Sequence, residues 1–408
     1  MNREWNNLLD IDVLEGSYEP KQPIPKEFSE SGATAAINVH RQLPAYSKTP
    51  LYSLSALAEK LHVKNIYIKD ESQRFSLNAF KGLGGIYAMF RMICDKLGLD
   101  PTTTTIDDLQ SDTWAPQVSD IVFVTATDGN HGRGVSWAGG IFGCQVHVYM
   151  PKGTVEQRAA AIRNVGPADV EILDSNYDEA ARYARKQSEK HGWLLIQDAA
   201  SDGYEQYPIW IIQGYLTMVA EALEEMRKQQ QTPTHVFLQA GVGAMPAGVV
   251  GYLTQTMDKK PVIAIVEPVT VNCIYASANA ANGKRHSIQG DPVTIMAGLN
   301  CGTPCQLSWP ILRDFAEFYI SVPDYVAAHG MRAYANPVAG DPKIISGESG
   351  AATLGALELI LSNPEFAEVR EAMNINEDSV ILLINSEGDT DPVGYQKIVA
   401  EGQYPLPQ

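Results

Sequence analysis

The chain has 408 residues, 45% hydrophobic and 19% charged, which places it among soluble globular proteins with room for two to three domains or one large two-lobed unit. A net charge of -17 argues against nucleic acid or an anionic membrane as partner, because both need a basic face. Five cysteines in so long a chain do not make a disulfide framework, and the polar stretch Met1 to Glu30 lacks the apolar core of a signal peptide, so the cytoplasm is the expected compartment.

Residues 1–50 carry scattered polar residues with Pro20, Pro23, Pro25, Pro44 and Pro50, and read as an extended arm that wraps something. Leu51 to Leu61 has helical spacing, and Ile66-Tyr67-Ile68 reads as a short strand. The apolar run Ile86 to Leu97 reads as a helix. Lys81, in Asn78-Ala79-Phe80-Lys81-Gly82-Leu83-Gly84-Gly85, therefore stands at the mouth of a strand-to-helix connection. A lysine there can be a nucleophile, an anion contact or a solvated cation. Pro101 to Asp120 is a Thr/Asp-rich insert expected to be a surface excursion.

From Ile121 an alternation sets in. Strands are expected at 121–124, Gln145 to Met150, Val170 to Leu173 and Trp193 to Ile196, with helices over Gly132 to Phe142, Val155 to Val165 and Tyr177 to His191. A connector, Asp198 to Pro208, leads to a long helix at Ile209 to Arg227, whose apolar part is too interrupted by Gln213, Thr217 and Glu221 for a membrane span. The alternation resumes with strand His235 to Gln239, helix Pro246 to Thr256 and strand Val262 to Val266. It ends with helix Ala351 to Leu361 and strand Val380 to Ile384. Such alternation predicts an α/β fold with parallel sheet and crossover helices. A small lobe over 85–199 is expected to be inserted into a large lobe made of 1–84 and 200–408.

Four polar, small-residue turns stand beside these elements. Thr125-Ala126-Thr127-Asp128-Gly129-Asn130-His131-Gly132 follows a strand and opens a helix, so it suits either an anion at a helix N-terminus or an ordinary helix cap. Gln239-Ala240-Gly241-Val242-Gly243-Ala244-Met245-Pro246 matches neither the dinucleotide fingerprint nor the Walker pattern, which leaves a cradle for one phosphate or a tight turn. Ser346-Gly347-Glu348-Ser349 and Ile384-Asn385-Ser386-Glu387-Gly388-Asp389-Thr390-Asp391 complete the set, with Ser349 a candidate helix cap. Cys273, Cys301 and Cys305 lie in one region, but Cys301-x-x-x-Cys305 has no second close pair and no histidine at zinc spacing, so no metal site is expected.

One lysine and these turns, in this order, resemble the fold-type-II pyridoxal-phosphate (PLP) enzymes, the family of threonine and serine dehydratases, tryptophan synthase β and cysteine synthase. The phrases that carry the likeness are Leu77-Asn78-Ala79-Phe80-Lys81, Ala126 to Gly134, Gln239 to Met245, and Ser386 to Pro392. Together they extend it over about residues 45 to 400. The resemblance implies a two-lobed α/β enzyme, each lobe a mostly parallel twisted sheet flanked by helices, with PLP in the cleft between lobes. Lys81 would hold PLP as a Schiff base, Phe80 would flank its ring, and Asn130 would bond its phenolic oxygen. Gly241, Val242, Gly243, Ala244 and Met245 would bind the phosphate. Ser386, or less favourably Thr390, would face the pyridine nitrogen. Thr127, Asp128, Gly129 and His131 would receive a small amino-acid substrate.

Within the family the phrases are most similar to the branch that eliminates ammonia from 2,3-diaminopropionate, because dehydratases usually carry a small or hydrophobic residue where Asp128 stands. That likeness implies Lys81 as base for the L isomer, Asp128 as base for the D isomer, and a homodimer. A serine/threonine dehydratase, a β-replacement synthase and a non-catalytic PLP sensor are the alternatives. A substrate panel, and sulfide trapping for the synthase, separate them.

Overall fold

The structure is a computed structural model and describes residues 3–16, 20–127, 129–198, 200, 203–290 and 292–407. It divides into two units, one built from Met1–Pro25, Lys48–Ala79 and Met218–Gln408, the other from Lys26–Ser47 and Phe80–Thr217. The expected lobes differ from these at 26–47, 80–84 and 200–217, and helix packing is the reason. Residues 30–40, expected as extended arm, form a helix, Glu30–His40, whose first turn is capped by Ser29 Oγ accepting from the Gly32 amide at 3.3 Å. His40, fully buried, hydrogen-bonds the Leu83 carbonyl and the Thr217 hydroxyl, both at 2.9 Å, and Gln213 Nε2 donates to the Gly32 carbonyl at 3.0 Å. These contacts bind 26–47 to the second unit.

The first unit is an eight-stranded sheet in the order Arg3–Trp5, Asp12–Glu15, Phe318–Val322, Val262–Pro268, His235–Gln239, Val380–Asn385, Asn65–Asp70, Leu51–Ser53. The five inner strands are parallel, and the outer strands at both edges run antiparallel. Every residue of His235–Gln239, Phe318–Val322 and Val380–Asn385 is buried, which is what unbroken apolar runs produce when helices cover both faces of a parallel sheet. Leu51 to Leu61 is not one helix. Leu51–Ser53 pairs with Asn65–Asp70, and the helix starts at Ser55, because edge pairing takes the first three residues. Three turns, 71–79, 240–243 and 386–391, leave the carboxyl ends of three neighbouring strands, the edge of an open α/β sheet where ligands bind.

The second unit has a four-stranded parallel sheet in the order Ala168–Ile172, Gln145–Met150, Val122–Ala126, Leu194–Leu195. The 101–120 insert is more than a surface excursion. It forms two short helices, Ile106–Leu109 and Ala115–Ser119, that bury Ile106, Leu109 and Val118. Among the described residues no helix is long and apolar enough to cross a membrane, and no group of His, Cys, Asp and Glu could hold a metal ion.

Candidate active site

Lys81 is the first residue of the helix Lys81–Leu97, so its glycines lie inside the helix rather than in a loop before it. Close approach explains them. A Cβ on Gly84 would come within 2.5 Å of the Tyr215 ring and 2.8 Å of the Ile211 carbonyl, and a Cβ on Gly134 would lie 3.0 Å from Gly82 Cα. Helix Lys81–Leu97 is thereby pressed against helices Asn130–Phe142 and Gln206–Lys228, which fixes where the lysine emerges. Its Nζ lies 2.6 Å from Asp198 Oδ2, 5.5 Å from the centre of the Phe80 ring and 5.9 Å from that of Tyr215. Phe80 itself packs edge-on against Tyr215, ring centres 4.7 Å apart.

Asp198, the ion-pair partner of Lys81, is a residue that the sequence reading placed only in a connector. Burial pushes its carboxyl up, but the Lys81 ammonium and then His131 overcome this and hold it down at about 2. It lies three residues beyond Leu194–Leu195, the strand beside Val122–Ala126. An acidic residue just past a parallel strand end was the available signal. The sign of its pH effect follows from the depressed value. The stability it contributes is present above the ordinary carboxyl value of 3.8 and is lost as pH falls toward 2. The difference between wild type and Asp198→Asn should be about 2 kcal/mol near pH 6, with about half of it gone by about pH 3. Urea denaturation across that range measures it, and a pH-independent difference would refute the pairing.

In the same unit, Thr127 Oγ accepts from the amides of Gly129 and Gly132 at 3.0 and 3.1 Å and so caps the start of the helix. The Gly129 N–H is thus already engaged. Asn130 is the first residue of its helix and half-buried, while His131 is buried with Nε2 3.0 Å from the Ile196 carbonyl. Asp128 lies outside the described residues.

In the first unit, Gly243 caps the helix Ala244–Thr256 from the left-handed region at φ 87°, and a Cβ there would lie 2.9 Å from the Leu312 side chain. A Cβ on Gly241 would meet Leu299 Cα at 3.2 Å and Cys301 Sγ at 3.4 Å. The amides of Ala244 and Met245, in the first helical turn, have no partner within the helix. Ser386 is buried and accepts from Gln239 Nε2 at 2.8 Å. Thr390 instead turns its hydroxyl to Glu387 Oε2 at 3.5 Å. Ser349 does not cap the helix Glu348–Ser362. Its Oγ accepts from the Gly298 amide, and the Glu387 carboxylate takes the Ser349 N–H. None of the cysteines is in a disulfide.

The segment leading to Lys81 carries three non-glycine residues at positive φ, Phe75 (52°), Ser76 (58°) and Asn78 (57°), a conformation that costs about 1–2 kcal/mol per residue. Contacts within the unit hold it. Arg74 bonds both Glu71 and Glu221, Lys69 Nζ lies 2.6 Å from Glu221, and all four side chains are at most 2% exposed. Burial alone would lower the Arg74 guanidinium, but Glu71 and then Glu221 raise it. Deleting one partner of such a buried group costs about 3–5 kcal/mol. At the far end, the Gly388 amide donates to the Asn78 carbonyl at 3.0 Å and Ala79 bridges Glu387.

These residues fit the cofactor expected for them. In the Gly241–Gly243 turn Gly243 needs the left-handed region and Gly241 has little room for a side chain, and the helix-start amides beyond it lack partners within the helix, as a phosphate requires. The Ser386 hydroxyl retains a proton to donate, and Lys81 has a primary amine whose charge is balanced by one buried carboxylate. Comparison with known proteins agrees. The family model described as pyridoxal-phosphate dependent enzyme matches residues 43–387. A diaminopropionate ammonia-lyase of Escherichia coli (strain K12) is 44% identical over 397 residues, covering 97% of this chain and 98% of that protein. One from Salmonella typhimurium is 46% identical over 367 residues, covering 89% and 91%. The crystal structure of the Escherichia coli diaminopropionate ammonia lyase in complex with D-serine aligns with a TM-score of 0.91 at 42% identity, covering 97% of this chain and 98% of that one. The chain belongs to the pyridoxal-phosphate dependent enzyme family, among its diaminopropionate ammonia-lyases.

Proposed function

We propose that this protein eliminates ammonia from both isomers of 2,3-diaminopropionate, yielding pyruvate and two molecules of ammonia with uptake of one water. The observation that carries the reading is the Lys81 amine held 2.6 Å from a buried carboxylate at the start of a glycine-packed helix. Bound PLP supplies the electron-withdrawing ring that acidifies the Cα proton of an attached amino acid. Lys81 would anchor that group through its amine and, as a free amine, would take the Cα proton from the L isomer. Asp128, on the turn opening helix Asn130–Phe142, takes it from the D isomer and attracts the ammonium of the substrate side chain. Asp198 keeps the Lys81 nitrogen oriented. The Gly241–Met245 turn would hold the phosphate through backbone N–H groups, with Phe80 beside the ring, Asn130 bonding its phenolic oxygen and Ser386 toward the ring nitrogen. Thr127, Gly129 and His131 line the substrate side. The reading carries with it a homodimer working in the cytoplasm.

Incubation of the PLP-loaded protein with D- and L-diaminopropionate, serine and threonine, with pyruvate or 2-oxobutyrate measured, tests it. Turnover of both diaminopropionate isomers ahead of serine is expected. Faster turnover of serine or threonine would assign the protein to the dehydratases, and a protein that takes up no PLP would end the proposal.

A further inference from the structure

Gln239 ends the strand His235–Gln239, and Ser386 directly follows its parallel neighbour Val380–Asn385, with Leu383 in register with Phe237. Both side chains are buried, at 2% and 4% exposure. Gln239 Nε2 lies 2.9 Å from the Ile384 carbonyl oxygen and 2.8 Å from Ser386 Oγ. A carbonyl oxygen only accepts, so the atom facing Ile384 must be the amide nitrogen, and its two hydrogens are both committed. Ser386 Oγ is therefore an acceptor toward Gln239. Its single proton has to point elsewhere.

The other end of the amide sharpens this. Gln239 Oε1 is buried and has no hydrogen-bond partner among the described residues. An unsatisfied buried oxygen is costly, and a methionine or leucine would fill the same space without it. What the position requires is the pair of N–H groups. We propose that Gln239 is a positioning residue that fixes the direction of the Ser386 hydroxyl proton, making Ser386 a donor to the cofactor's ring nitrogen and keeping that nitrogen unprotonated. The inference rests on the cofactor role given above for Ser386 and adds what determines its polarity. An unprotonated ring is a weaker electron sink, which favours prompt departure of a β-substituent over prolonged storage of charge, as elimination requires.

The test loads the holoenzyme with PLP carrying nitrogen-15 in the ring and reads that nitrogen by NMR. In wild-type protein it should report an unprotonated, hydrogen-bonded nitrogen. Gln239→Met should move the signal away from the protonated range, in the same direction as Ser386→Ala, and weaken PLP affinity in an apoprotein titration about fivefold, the loss of one hydrogen bond. The double variant should read like Ser386→Ala alone, because Gln239 acts through that hydroxyl. Additive shifts, or a protonated nitrogen in wild type, would overturn the inference. Should Gln239→Met fail to fold, Gln239→Asn, too short to reach both acceptors, makes the same comparison. Failure of wild-type protein to take up PLP would overturn the underlying cofactor reading instead, and is seen before any nitrogen signal is recorded.

Discussion

Replacing Lys81 with alanine abolishes pyruvate formation from both isomers of 2,3-diaminopropionate, by at least about 1,000-fold, and removes the absorbance near ~410 nm expected of a protein-bound PLP imine. Two effects are combined in that variant, and they separate. The amine is lost as anchor and base, which is chemical. Asp198 is also left as a carboxylate at 7% exposure without its counter-ion, which is structural and costs about 3–5 kcal/mol in groups of this kind. Lys81→Arg distinguishes them. A guanidinium keeps the charge beside Asp198 but forms no imine, so this variant should unfold in urea close to wild type while remaining colourless and inactive. An alanine variant that keeps its colour and turns substrate over would remove Lys81 from the mechanism altogether.

Asp128→Asn loses about 100- to 10,000-fold of its turnover on D-diaminopropionate while keeping much of its activity on the L isomer. A single base can reach only one face of Cα, so acceptance of both configurations needs two. Lys81 and the carboxylate of Asp128 are the pair proposed for the two faces. Asparagine has the size of aspartate and lacks only its charge, and Thr127 Oγ already accepts from the Gly129 and Gly132 amides beside it. Initial rates on each pure isomer decide the matter. Equal loss on both would show that position 128 serves binding rather than proton transfer from one face.

Local pattern accounts for what could be read without a structure. Gln145–Met150, Tyr177–His191 and His235–Gln239 begin and end where the sequence reading puts them. In the helix Tyr177–His191 the reason is explicit, since Asn176 and Glu179 form a reciprocal cap and Gly192 ends it in the left-handed region. The glycines after Lys81 were legible as a motif but not as packing, because only a neighbouring helix shows why a side chain would not fit. Residues 1–50 went the other way. Their prolines and polar residues hid the helix Glu30–His40 and the strand Asp12–Glu15, which owe their stability to distant partners.

By itself, the sequence determined the α/β alternation, the lysine and the glycine turn, since each is encoded within a few residues of chain by apolar periodicity, turn chemistry or a recognisable motif. Only the tertiary structure decided that Asp198 meets Lys81 across 117 residues and that Gln239 donates to Ser386 across 147. Such pairs are set by sheet order and helix packing, where no local spacing can announce them.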